Sequence, residues 1–153
     1  MNNLPRRTAR LELQRNSFTG EVPTEIYNLA SLVTFFLGDN TDLQGEFAPD
    51  IAGLGNLERL NVDRTRMSGL LPPQFFWNTN LEVFSAQECG FTGTMVPEQW
   101  LNFTALRELI LNFNDFSGPF PNIFNDFPDL GASTDCLALA DWLFGPLIFL
   151  CIY

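Results

Sequence analysis

Leu109-Ile110-Leu111-Asn112-Phe113-Asn114-Asp115-Phe116-Ser117-Gly118 decides the fold, because the same arrangement stands five times along the chain in one register. Written as a pattern it is an apolar pair two residues apart, an asparagine-type residue three further on, a bulky apolar residue and a glycine. The asparagine-type positions are Asn16, Asn40, Thr65, Cys89 and Asn114, at spacings of 24, 25, 24 and 25 residues. The apolar pairs are Leu11 and Leu13, Phe35 and Leu37, Leu60 and Val62, Phe84 and Ala86, and Leu109 and Leu111. Alternation with period two predicts a short strand at each, the pair turned inward. A fixed period of this length predicts a solenoid of stacked units, since one unit cannot bury its own apolar face.

After each asparagine-type residue come Phe18 and Gly20, Leu43 and Gly45, Met67 and Gly69, Phe91 and Gly93, and Phe116 and Gly118. Glycine in a fixed column marks a tight bend or a close approach of the next coil. Apolar residues three apart follow: Ile26, Leu29, Leu32; Ile51, Leu54, Leu57; Phe75, Asn78, Leu81; Trp100, Phe103, Leu106; Phe124, Phe127, Leu130. That spacing predicts a short 3₁₀-like turn on the outer side of each coil. The extra residue of the 25-residue units falls before Leu43 in the second and at Val96 in the fourth. Both insertions lie in bends, where a slip does not turn a strand over.

The register resembles the plant-specific leucine-rich repeat, L-x-x-L-x-L-x-x-N-x-L-x-G-x-I-P-x-x-L. That repeat occurs in plant receptor-like kinases, receptor-like proteins and polygalacturonase-inhibiting proteins, and in similar diatom proteins. The resemblance runs from Thr8 to Leu130. It implies an α/β solenoid, a right-handed superhelix with a parallel concave sheet and short 3₁₀ or irregular convex segments. Residues 8–130 then form five repeats, 1–7 an incomplete N-terminal end, and 131–153 a cap remnant with an apolar tail. Asp135-Cys136 is similar to the start of a cysteine-bearing cap, without its further cysteines. The asparagine column, with Thr65 and Cys89 as substitutes, is expected to form a ladder bonded to backbone groups left unpaired at the bend. Cys89 reads as a buried structural thiol.

Composition narrows the function. There are 18 acidic residues against eight arginines, no lysine, and a formal net charge of −10, which opposes a nucleic-acid footprint. Histidine is absent, which removes the usual base near neutral pH and imidazole-dependent zinc sites. No cofactor, metal site or catalytic set is expected. The three cysteines, Cys89, Cys136 and Cys151, have no C-x-x-C spacing. An enzyme would have to use carboxylates such as Asp39 and Asp63, whose proximity is unremarkable in so acidic a chain.

Side chains between and after the inward pairs, and beside them on the strand, are expected on the open concave face. From them we single out a protein- or peptide-binding set: Phe36, Ile110 and Phe113 as apolar anchors, with Arg59, Asn61, Asp63 and Arg64 as polar and charged selectors. The resemblance implies non-catalytic recognition by a receptor-like, cell-surface signalling protein. A secreted inhibitor of a cell-wall hydrolase and a truncated gene fragment with only a structural role stand as alternatives. Asn102-Phe103-Thr104 is an N-glycosylation triplet if the chain is exported. Residues 1–10 carry three arginines with no apolar run after them, so no signal peptide is read in this chain, and an extracellular or membrane-surface location requires export of the full-length protein. Residues 137–153 read either as a packed end or as a membrane contact. The uncharged part from Trp142 to Tyr153 has 12 residues and includes Gly145-Pro146, whereas a span needs about 20.

Overall fold

A computed structural model describes residues 9–117 and 149–151. The fifth-unit columns at Gly118, Phe120-Pro121, Phe124, Phe127 and Leu130 lie outside the described residues, as do 1–8, Cys136 and residues 137–148. Along the chain come β1 (Arg10–Glu12), β2 (Thr19–Glu21) and the 3₁₀ turn η1 (Thr24–Asn28), then β3 (Thr34–Phe36), β4 (Asp42–Gly45) and η2 (Pro49–Gly53). The third unit gives β5 (Arg59–Asn61), β6 (Arg66–Leu70) and η3 (Pro73–Trp77). The fourth gives β7 (Val83–Ser85), β8 (Gly90–Thr94) and a single α turn, α1 (Pro97–Trp100). The fifth begins with β9 (Glu108–Ile110) and β10 (Asp115–Ser117), and β11 is Phe149–Cys151.

The five expected strands form one parallel sheet in strict register, with Leu11, Phe35, Leu60, Phe84 and Leu109 side by side. β11 adds to β9 antiparallel, so that the sheet order is β1-β3-β5-β7-β9-β11. Periodicity gives no hint of the second sheet, β10-β8-β6-β4-β2, which is also parallel and runs through the glycine column. Its short strands carry glycine or charged residues, so no apolar alternation in the sequence announces them. Their pairing is offset: Gly45 stands opposite Met67, Gly69 opposite Phe91 and Gly93 opposite Phe116.

The glycines make this sheet possible for two reasons. Gly20, Gly45, Gly69 and Gly93 all have positive φ, between 78° and 104°. At the last three, a β-carbon would also collide with the side chain that follows the preceding unit's glycine: Glu21 over Gly45, Glu46 over Gly69 and Leu70 over Gly93. At Gly53 the obstacle is the Tyr27 backbone carbonyl, so the outer turns η1 and η2 approach main chain to main chain.

The core fills the space between the two sheets and the outer turns. Phe35, Leu60, Phe84 and Leu109 are fully buried, as are Leu32, Leu57, Leu81, Ile51, Phe75 and Phe103. In the first unit Leu11, Leu13, Val22 and Ile26 are only half-buried and Phe18 is exposed, because among the described residues that unit has a stacked neighbour on one side only. Asn78 occupies a column otherwise held by Leu29, Leu54 and Phe103 and is buried. Its Nδ2 donates to the Phe75 carbonyl at 2.9 Å, and its Oδ1 has no partner among the described residues. Asn78→Leu is therefore expected to raise stability by about 1–2 kcal/mol, by removing an unsatisfied acceptor and restoring apolar packing. A chemical-denaturation midpoint that falls would refute this.

In the asparagine column, side chains bond backbone groups at the bend. Asn40 Nδ2 donates to Leu37 of its own unit (2.6 Å) and to Leu13 of the unit before (2.9 Å), while Oδ1 accepts from the Phe18 N–H (3.2 Å). Asn114 repeats this, donating to Leu111 (3.0 Å) and Ala86 and accepting from Phe91 N–H (3.0 Å). Thr65 Oγ1 donates to Val62 (2.8 Å), and half-buried Cys89 reaches the same carbonyl through its thiol (3.2 Å). Burial pushes the Cys89 thiol above its usual value, which keeps it protonated and able to donate.

Candidate functional site

On the six-stranded sheet the residues just before and between the members of the inward pairs stand in cross-strand rows. One row is Arg10, Thr34, Arg59, Val83 and Glu108; the next is Glu12, Phe36, Asn61, Ser85 and Ile110. A third row follows the strands: Arg15, Asp39, Arg64, Glu88 and Phe113, each at φ between 51° and 60°. Residues other than glycine rarely adopt that left-handed conformation. It is held because each of the first four donates its N–H to the next unit: Arg15 to Gly38, Asp39 to Asp63, Arg64 to Gln87 and Glu88 to Asn112, at 2.8–3.0 Å. The row is thus a repeating strained position whose side-chain identity the backbone does not dictate.

Charge is ordered along this third row. Asp39 sits between two guanidinium groups, with Arg64 Nε at 2.6 Å and Arg15 Nε at 3.5 Å. The Arg64 hydrogen bond, reinforced by the Arg15 contact, holds the Asp39 carboxyl below its ordinary value, while Asp39 raises Arg64. Arg10 pairs with Glu12 at 3.0 Å. Arg59 is exposed on β5 and makes no ion pair among the described residues. Further along, Glu88 accepts from Gln87 Nε2 at 2.9 Å.

Asp63 has a different character from the arginines beside it. Its Oδ1 accepts from Ser85 Oγ (2.6 Å) and the Gln87 N–H (2.7 Å), and its Oδ2 accepts from Asn61 Nδ2 (2.7 Å). Asn61 Oδ1 in turn accepts the Asp63 N–H at 3.2 Å. Gly38 leaves the room for this, since a β-carbon there would overlap the Asn61 side-chain oxygen. Asp63 and Asn61 therefore brace the third and fourth units, and offer a ligand negative charge more than open hydrogen-bonding sites.

The apolar members flank this polar centre. Phe36 and Ile110 are half-buried in the second row, and Phe113 is 43% exposed at the end of the third. With three strand spacings between them, β3 to β9, Phe36 and Ile110 lie about 14 Å apart. Between Ile110 and Phe113, Asn112 is buried with neither Nδ2 nor Oδ1 partnered among the described residues. The sequence marks it as a concave position and nothing in the repeat signals its orphaned amide. Asn102, just after α1, is exposed, while Phe103 of the same triplet is core. Among the described residues there is no group of three or more side chains able to hold a metal ion, and no helix long and apolar enough to cross a membrane.

Comparison with known proteins agrees with this architecture. Residues 105–127 match the family described as Leucine Rich Repeat. The chain is similar to Receptor-like kinase TMK2 of Arabidopsis thaliana, with 32% identity over 123 residues, covering 76% of this chain and 13% of the kinase. It superposes on the leucine-rich-repeat ectodomain of the Arabidopsis thaliana receptor kinase SOBIR1 with a TM-score of 0.71 and 26% identity, over 76% of this chain and 62% of that one. The Arabidopsis receptor kinase HAESA, in a complex with the peptide hormone IDA and the co-receptor SERK1, superposes with a TM-score of 0.70 and 26% identity, over 76% of this chain and 19% of that one. The chain thus spans only a small part of the receptor-like kinase that it matches.

Proposed function

Since the chain belongs to the leucine-rich-repeat proteins of the plant-specific type, we propose that its six-stranded face binds an extended peptide or protein segment as the non-catalytic recognition part of a receptor-like protein at the cell surface. The observation that carries this reading is the layout of the three rows: apolar Phe36 at one side, Ile110 and Phe113 at the other, and a charged centre of Arg59, Asp39, Arg64 and Asp63 between them. Apolar anchors of this kind supply much of the binding energy, and the charged groups between them set register. Arg59 in the third unit has no ion pair among the described residues, whereas Glu88 and Glu108 lie in the last two units, so the face favours a ligand with an acidic group over Arg59 and a basic group beyond it. Five units at about 4.8 Å spacing extend some 19 Å between outer strands, the reach of roughly six extended residues. The likeness to the ectodomain in the HAESA–IDA complex supports a peptide over other ligands.

A displayed heptapeptide library selected on the full chain tests this. A recovered peptide is expected to lose at least tenfold in affinity when Phe36, Arg64 and Phe113 are changed together to alanine, about 1.4 kcal/mol or more. Trp77→Ala, on the outer turn η3, should leave affinity unchanged. Equal binding by the triple variant would remove the concave face as the site.

A further inference from the structure

Three departures from the repeat meet at one place away from the concave face. The residue after the glycine is Glu21 in the first unit and Glu46 in the second; in the third it is Leu70, which is 61% exposed and reaches over Gly93. The added residue of the fourth unit is Val96, also exposed. Where Ile26, Ile51 and Phe75 fill the outer-turn column, the fourth unit has Trp100, fully buried, on an α turn in place of a 3₁₀ turn. Leu70, Phe76, Val96, Gln99, Trp100 and Phe116 line a half-open groove of about 320 Å³ formed by the third, fourth and fifth units. Phe76 and Phe103 hold the Trp100 ring edge-on, at centroid distances of 5.3 and 5.9 Å. Its indole N–H has no acceptor among the described residues.

A buried donor without an acceptor costs about 1–3 kcal/mol, and apolar walls with few polar groups suit a small ligand. We propose that this groove binds a compact apolar molecule carrying one carbonyl oxygen. Its hydrocarbon body displaces water from Leu70, Phe76 and Phe116, and its oxygen accepts the Trp100 indole N–H. Because the indole N–H lies beneath the surface, the ligand's oxygen reaches it only as the groove's lining, which includes Val96 and Gln99, shifts. Val96 is the added residue of the fourth unit's bend, and Gln99 stands on α1. The site is independent of the peptide-binding reading of the concave face.

The test is a titration of the full chain with the bicyclic ketone 2-decalone, followed by the indole N–H resonances in nitrogen-15 correlation spectra. The Trp100 resonance should move saturably while that of exposed Trp77 stays in place. Val96→Phe, which fills the rim from a surface position, should weaken binding more than tenfold. Trp100→Phe, which keeps an aromatic ring and removes the N–H, should weaken it about five- to tenfold. Equal shifts at Trp77 and Trp100, or undiminished binding by folded Val96→Phe or folded Trp100→Phe, would overturn the proposal. So would a chain that ignores the ketone but self-associates until Val96→Phe is introduced, because the groove would then hold a second copy.

Discussion

Phe75→Ala is expected to remove about 4–5 kcal/mol of stability and to loosen the second, third and fourth units together. Phe75 has no solvent exposure and sits among four other rings: Phe84 at 4.8 Å, Phe103 at 5.5 Å, and Phe47 and Phe76 at 5.6 Å. Loss of a buried phenylalanine costs about 3–5 kcal/mol through lost transfer energy and the cavity left behind, and each favourable ring contact adds a fraction of a kcal/mol or more. These rings come from the second unit (Phe47), the third (Phe76), and the fourth (Phe84, Phe103), so the cavity lies across two unit interfaces. In a solenoid stability is a sum over units and nearest-neighbour interfaces. Domain stabilities are of order 5–15 kcal/mol, so this loss approaches the whole. Urea denaturation with amide exchange over residues 35–106 checks it. A loss below about 1 kcal/mol, with unchanged protection across these units, would mean that the aromatic cluster does not couple them.

Asn40→Ala is expected to cost about 3 kcal/mol, although it removes only a small polar side chain. Asn40 is fully buried, and its amide satisfies the carbonyls of Leu37 and Leu13 and the N–H of Phe18. Alanine would leave those three backbone groups without their side-chain partner in a site that excludes water, at about 1 kcal/mol or more each. Asn16→Ala is the control. Asn16 is exposed, and among the described residues its amide donates only within its own unit, to Leu13 (3.0 Å) and Gln14 (3.1 Å), so water can replace it. A loss below about 0.5 kcal/mol is expected there. Equal losses from the two substitutions would show that bridging between units is not what makes the column matter.

That column was legible in the sequence, yet its energetics were not. Five residues in phase identify an environment that recurs, and Thr65 and Cys89 were recognisable as substitutes by position alone. Only the fold reveals that Cys89 takes over the bond to Val62 across the unit boundary, because the donor must lie within about 3.5 Å of a carbonyl 27 residues earlier in the chain. The concave set divides in the same way. Phe36, Ile110 and Phe113 were readable as apolar residues at solvent-facing positions. That Arg64 and Arg15 share Asp39 and that Asp63 is taken up by Ser85 and Gln87 depend on neighbours about 22 to 25 residues away, and that the Asn112 side-chain amide has no partner among the described residues is decided the same way, by stacking.

By itself, the sequence determined the period, the inward columns, the five strands of the first sheet and the outer turns, since burial repeats wherever the same residue types recur at the same offsets. The tertiary structure decided the second sheet, whose glycine-rich strands carry no alternation, and the left-handed row, whose conformation is held by hydrogen bonds to the next unit. It also decided which polar side chains remain unpartnered. Periodicity reports what each unit has in common with the others; pairing across units depends on which particular side chains come face to face when the coils stack.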